Sequence, residues 1–230
     1  MEKDEKMTFT EWMENVWYHY KWPLIFGGII IVFLLISFSQ CQETKNPDVN
    51  ILHVGPMYIS DEVADNIEIT LQDFAKDYDN DGKIRVEILD ITVNKFGNES
   101  AGIDAINYDK NNSALQRFQT EIRAGDAVLY ALDKYYFDIC VQEGILTPLE
   151  DIVDKSYLPE NTVDGYGIYI SDLDAYELDG LSRVPETAIL CLRRSPENDS
   201  IKYGRTVEVW ENNRYTLENI IKYRSTEQTE

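Results

Sequence analysis

Between Lys21 and Glu43 lie 21 consecutive residues, Trp22–Gln42, without a charged side chain, and Leu24–Ile36 is apolar throughout except for Gly27 and Gly28. A helix rises about 1.5 Å per residue, so this run reaches about 30 Å, the thickness of a bilayer's hydrocarbon core. Trp12, Trp17, Tyr18, Tyr20 and Trp22 crowd its N-terminal side, where amphipathic rings settle at headgroup depth and Lys21 can snorkel beside them. The sequence therefore predicts one transmembrane helix over residues 22–41. Lys3, Lys6 and Lys21 precede it, whereas Lys45 is the single Lys or Arg in the twenty residues after it. That bias places the N-terminus in the cytoplasm and the C-terminal part outside the cell, in the cell membrane.

A cleaved secretory signal is the competing reading, because Ser37 and Ser39 offer small residues after the apolar core. Against it, the stretch before the core carries five acids, Glu2, Asp4, Glu5, Glu11 and Glu14, where a signal has a positive region. A lipoprotein signal at Cys41 fits less well, since Phe38-Ser39-Gln40 supplies one small residue. Thr8 with Glu11 reads as a capping box, and Phe9, Trp12, Met13, Val16, Trp17 and Tyr20 follow at helical spacing. Residues 1–21 are expected to form an amphipathic, cytoplasmic leader lying at the interface.

The charge balance excludes one class of partner. The chain carries 42 acids against 21 Lys and Arg, a formal charge of −21. Such a surface repels phosphate backbones, and no basic patch offsets it, so nucleic acid is not expected as a partner. Residues 1–41 hold three lysines and five acids, which leaves 18 basic and 37 acidic residues in 42–230, a net −19. An acidic exterior gives solubility and also attracts cations and basic partners.

Residues 42–48, polar and carrying Pro47, read as a linker, and 49–230 as the outer domain. Val49–Val54 is a strand pattern ending at Gly55-Pro56. Asp61–Tyr78 puts Val63, Ile67, Leu71, Phe74 and Tyr78 on one helical face, with acids in the first turn. Asn80-Asp81-Gly82 is a turn, and Ile84, Val86 and Ile88 alternate as in a half-buried strand. Ser113 with Gln116 reads as the capping box of a helix closed by Gly125, with Leu115, Phe118 and Ile122 inward. Ala127–Leu132 is a continuous apolar run, expected of a central parallel strand. A short helix, Tyr135–Glu143, ends at Gly144. Two strands, Gly165–Ser171 and Thr187–Leu192, and a final helix near Tyr215–Tyr223 follow. Alternating strands and helices of these lengths imply βαβ crossovers and a three-layer α/β core.

The segment from Phe118 through Arg123-Ala124-Gly125-Asp126 and Ala127–Asp133 to Gly144-Ile145-Leu146-Thr147-Pro148-Leu149-Glu150-Asp151 resembles the first lobe of bacterial extracellular solute-binding proteins, as does Asp81-Gly82-Lys83-Ile84-Arg85-Val86 upstream. The resemblance covers roughly residues 49–151. It implies a periplasmic-binding-protein-like single lobe outside the membrane. Members of that family close two lobes over a ligand, and the second lobe needs well over a hundred residues. The chain of 230 leaves 79 after Asp151, so the expectation is a shortened, membrane-anchored relative without ligand capture by closure.

No catalytic constellation emerges. Asp77-x-Asp79-x-Asp81-Gly82 matches the first half of a calcium loop, yet Ile88 stands where the loop needs its twelfth-position Glu, and a plain Asn-Asp-Gly turn accounts for the motif. No metal site and no cofactor are expected. The two histidines, His19 and His53, cannot form a multi-histidine site outside the membrane, and no nucleophile motif accompanies His53. Cys140 and Cys191 sit in apolar runs, where cysteine behaves as a small buried hydrophobe. Open α/β sheets take ligands at the carboxyl ends of their strands. That rule singles out Tyr58 after the first strand, and Asp133 and Tyr135 after the third, as candidate ligand-binding residues. The expected function is a non-enzymatic, single-pass membrane protein displaying a reduced solute-binding-like domain, an accessory module for another membrane or surface protein. The alternative is a receptor or sensor for a small solute in a transport or signalling system.

Overall fold

The computed structural model describes residues 9–43, 47–93, 107–196 and 206–224. The chain divides into two compact units, 1–46 and 47–230.

The described residues of the first unit form one helix, α1 (Phe9–Glu43), with Pro23 inside it. The stretch long and apolar enough to cross a membrane runs Trp17–Ser37. From Phe9 the leader and the apolar run are continuous helix, which extends to Glu43, into the predicted linker. Thr8, the expected cap, lies outside the described residues.

The second unit is an α/β fold with a single mixed six-stranded sheet. Its strands are β1 (Val49–Gly55), β2 (Val86–Thr92), β3 (Leu129–Leu132), β4 (Thr162–Val163), β5 (Gly167–Tyr169) and β6 (Ile189–Leu192), in spatial order β2-β1-β3-β6-β5-β4. β1 runs parallel to β2 and β3, whereas β6 pairs antiparallel with β3 and β5, and β4 with β5. The apolar runs sit centrally, as strands buried on both faces must. Every residue of β3 and β6 is buried. Alternate residues feed two cores. Ile51, Leu129, Ala131, Leu190 and Leu192 face Ile67 and Leu71 of α2 (Asp61–Gln72) and Leu217, Ile220 and Ile221 of α5 (Val207–Lys222). Leu52, Val54, Tyr130, Leu132 and Cys191 face Phe118 and Ile122 of α3 (Asn107–Ala124) and Phe137 and Cys140 of α4 (Lys134–Gln142). Helices therefore cover both faces.

Four expectations need correction. The helix from Asp61 stops at Gln72 rather than Tyr78: the Phe74 and Ala75 N–H groups turn back to Leu71 O and Gln72 O at 3.0 and 3.3 Å, and the Tyr78 N–H goes to the buried Asp48 carboxylate at 2.7 Å. Ser113 and Gln116 lie inside α3 and not at its start, since helix already runs from Asn107. The last helix begins at Val207, where the Thr206 hydroxyl accepts the Val209 N–H at 3.3 Å. The run Ala127–Leu132, read as a central parallel strand, is central but parallel on one side only, since it pairs antiparallel with β6 on the other.

Gly125 ends α3 for two reasons. Its φ is +69°, and a Cβ there would lie 2.8 Å from the Arg193 guanidinium. Arg193 Nη1 donates to Ile122 O at 2.6 Å, satisfying a carbonyl of the last turn of α3, and to the buried Tyr130 hydroxyl at 3.3 Å. At the sheet edge, Glu68 Oε1 accepts the Ile88 N–H at 3.2 Å. Burial raises the Glu68 carboxyl pKa, the Ile88 N–H opposes this, and Asp65 and Glu87 add to the rise.

Gly125→Ala combines a strained backbone with a collision, and we expect it to cost about 1–3 kcal/mol in urea unfolding. The thiols yield a second prediction. Burial pushes Cys140 up to about 12 and Cys191 well above the ordinary thiol range. The thiolate is the nucleophile. In a Cys41→Ser background, neither should react with a thiol reagent at about pH 8 until the domain unfolds. These raised values stabilise the fold fully below the unfolded thiol pKa of about 8.5, and that contribution is lost as pH climbs toward 12, because the unfolded chain then releases protons the folded one keeps. Urea midpoints should accordingly fall above about pH 9.

Candidate functional site

The carboxyl ends of β1 and β3 lie side by side, because the Asp133 N–H donates to Val54 O at 2.8 Å. β1 leaves the sheet through Gly55, Pro56, Met57 and Tyr58, and β3 leads through Asp133 into α4. The three residues read from the sequence thus flank adjacent strand ends. Asp133 is the N-cap of α4, its Oδ1 accepting the Tyr135 N–H at 3.0 Å. Tyr135 is 52% exposed, its ring edge-on to that of Tyr136 at 5.1 Å. The Tyr136 ring is buried and packs in turn on Phe118 at 4.9 Å. Burial pushes the Tyr136 hydroxyl up to about 12, with Tyr135 and Asp133 adding to the rise. Tyr58 is 63% exposed and Met57 is exposed beside it. The edge therefore presents two rings and a thioether on short connections fixed by sheet and helix.

Beneath this edge lies a pair the sequence reading did not assemble. His53 is 2% exposed, and its Nδ1 lies 2.6 Å from Asp90 Oδ1. The Thr92 hydroxyl donates to Asp90 Oδ2 at 2.8 Å. Gly55 leaves the ring its room, since a Cβ there would stand 3.2 Å from His53 Nε2. The signal was in the register. Val49 pairs with Val86, so the fifth residues of the two parallel strands, His53 and Asp90, stand opposite each other. A carboxylate on Nδ1 fixes the ring orientation, as in histidines that act as bases or ligands. Here the chemistry stops. No nucleophile or third ligand accompanies the pair among the described residues, and the cavity beside it holds about 30 Å³. Its lining, which includes Ile51, Ile59, Ile67, Leu129 and Ile170, is apolar apart from the imidazole. That volume is far below what a solute needs, and with an apolar lining the space stays dry.

The Asp77–Gly82 turn is likewise engaged with its own backbone. Asp48, Asp77 and Asp79 bring carboxylate oxygens within 4.8 Å of one another. Asp48 accepts the N–H groups of Tyr78 and Arg85 at 2.7 and 2.8 Å, and Asp77 those of Asp81 and Gly82 at 3.1 and 2.7 Å. Asp79 accepts the Asp81 N–H at 3.0 Å, and Arg85 donates to Asp81 Oδ2 at 2.6 Å. The positive charge in this turn is a guanidinium of the chain itself. Cys140 and Cys191 are both free and buried.

Comparison with known proteins finds no family model, no curated protein and no solved structure that matches the chain.

The His53–Asp90 pair is open to a double-mutant cycle. With one partner gone, the other is left poorly satisfied in a largely buried place, so we expect His53→Ala and Asp90→Ala to show a coupling of about 1–3 kcal/mol in urea unfolding. A coupling below about 0.5 kcal/mol would mark the contact as loose packing.

Proposed function

We propose that this protein is a non-enzymatic, single-pass membrane protein, N-terminus in the cytoplasm, which displays residues 49–230 outside the cell as a reduced solute-binding-like module for a protein partner. The observation that carries the reading is the exposure of Met57, Tyr58 and Tyr135 at adjacent strand ends. Tyrosine and methionine are enriched in protein interfaces, where large side chains on fixed backbone give contact area at low entropic cost. A small solute at an open edge would keep water on several sides, whereas a partner protein brings its own second wall. The single lobe is supported by the α/β sheet with helices on both faces and by the short sequence segments that resemble the solute-binding family. The anchor and its orientation are supported by the apolar run Trp17–Ser37 and the lysine bias around it. The sensor alternative draws on the same strand-end position, where open α/β sheets take small ligands.

Topology and site are tested together in cells. An N-terminal tag should stay protected from external protease while residues 49–230 are digested, and the chain should resist carbonate extraction. A photo-crosslinking residue at Tyr58 or Tyr135 should yield one discrete adduct, which the same residue at exposed Glu177 does not. A cleaved outer domain in the medium would overturn the anchor. A small ligand bound tighter than about 10 µM in calorimetry and weakened by Asp133→Ala would favour the sensor instead.

A further inference from the structure

A second concavity carries its own chemical signature and includes none of the strand-end residues just discussed. It is a groove of about 650 Å³ between the stretch from Pro148 to Glu160 and the β4–β5 turn. The Leu149 N–H donates to Gly165 O at 2.9 Å, so the two walls are tied and the groove is preformed. Pro159 and Tyr166 give it apolar surface, while Glu150, Glu160 and Asp164 bring three carboxylates against one amine, Lys155. Lys155 Nζ is engaged by Glu150 at 2.9 Å. Lys134 stands 3.8 Å from Asp164 but pairs more closely with Asp138. No cation pairs with Glu160 among the described residues. The groove is therefore negative in excess, with apolar patches between its charges.

We propose that this groove binds an extended peptide segment of another protein, carrying lysine or arginine spaced by proline or apolar residues. Charge complementarity selects the sign of the occupant, since carboxylates lining an open concavity favour ammonium and guanidinium groups. The volume lies in the range of ligand sites generally. The open groove selects a chain over a free amine. An isolated ammonium here exchanges one hydrated setting for another, while a peptide adds apolar contact with Pro159 and Tyr166 and displaces water along its length. Proline in the occupant reduces the conformational entropy lost on docking.

The test uses the full chain in detergent micelles and a fluorescein-labelled octapeptide of alternating lysine and proline, followed by fluorescence anisotropy at low salt. Saturable binding is expected, with none for the matching glutamate-proline peptide. Glu160→Gln combined with Asp164→Asn should weaken it about fivefold or more, asparagine being chosen because it tolerates the positive φ of 51° at position 164. Glu62→Gln with Glu177→Gln removes the same charge from exposed sites outside the groove, and should change affinity less than about twofold. Both double variants should keep the parent melting temperature within about 2 °C, since surface substitutions of this kind cost little. Equal weakening by the two pairs would mean that the peptide senses only net charge, and the proposal falls. Competition by spermidine as effective as that by unlabelled peptide would make this a site for free amines and would also overturn it. Absence of saturable binding overturns it outright.

Discussion

The register of the parallel half is set at one buried carboxylate. Asp48, 4% exposed, stands immediately before β1. Its two oxygens take the N–H groups of Tyr78 and Arg85, its own N–H donates to Arg85 O at 2.9 Å, and its carbonyl accepts Asn212 Nδ2 at 3.0 Å. Three separate stretches of chain are thereby tied to the start of β1. They are the end of the α2 connection, the residue before β2, and the middle of α5. A carboxylate desolvated to this degree is stable only when charge-assisted bonds replace its water, and backbone donors at 2.7 and 2.8 Å supply them. Once Arg85 is held there, Val86 falls opposite Val49. The pairing of His53 with Asp90 follows four residues later without any further choice.

The same constraint explains why the sheet changes direction where it does. β1 and β3 are buried on both faces, and parallel strands of this kind need helices above and below. The chain supplies α2 and α5 for one face and α3 and α4 for the other. After α4 it has used its long crossovers, and what remains up to β6 is a series of short turns with β4 and β5 between them. A three-residue turn, Asp164–Tyr166, joins β4 to β5, and the longer stretch 170–188 leads from β5 to β6, so the second half of the sheet closes as an antiparallel β4-β5-β6 order. Phe137 shows how tightly the halves meet. Its ring approaches Gly167 so closely that a Cβ at that glycine would stand 2.7 Å from it.

Much of this was legible in the sequence, and the failures share a cause. Val49–Val54, Ala127–Leu132 and Thr187–Leu192 could be read as strands because apolar runs of that length have no other comfortable fate. The direction of the last one could not, because periodicity records burial and not order in space. β4, two residues long, carries no pattern at all. The helices were misjudged at their ends, where single side chains decide. Past α2, Tyr78 is bound to Asp48, thirty residues upstream, and a Ser-x-x-Gln pattern is as easily satisfied inside a helix as at its start. At the candidate site, the placing of Tyr58, Asp133 and Tyr135 after strand ends was legible because position relative to a strand end is a local property. The His53–Asp90 pair was missed because it needs register, which depends on a buried acid thirty-seven residues before its contact with Arg85.

The way the sheet finishes at its sides has a consequence for crowding. On the proposed membrane anchoring, copies of the chain would share two dimensions, where an open strand edge is a template for polymerisation. Here one side ends in β4, too short to template a neighbour. The other ends in β2, whose outward Ile88 N–H is already taken by the Glu68 carboxylate, with Glu87 exposed one residue before it. A second chain arriving at β2 would have to displace a carboxylate and set its own acids beside those already there. The Glu68 contact and the acids beside it thus make the β2 edge a poor template for the addition of a further strand.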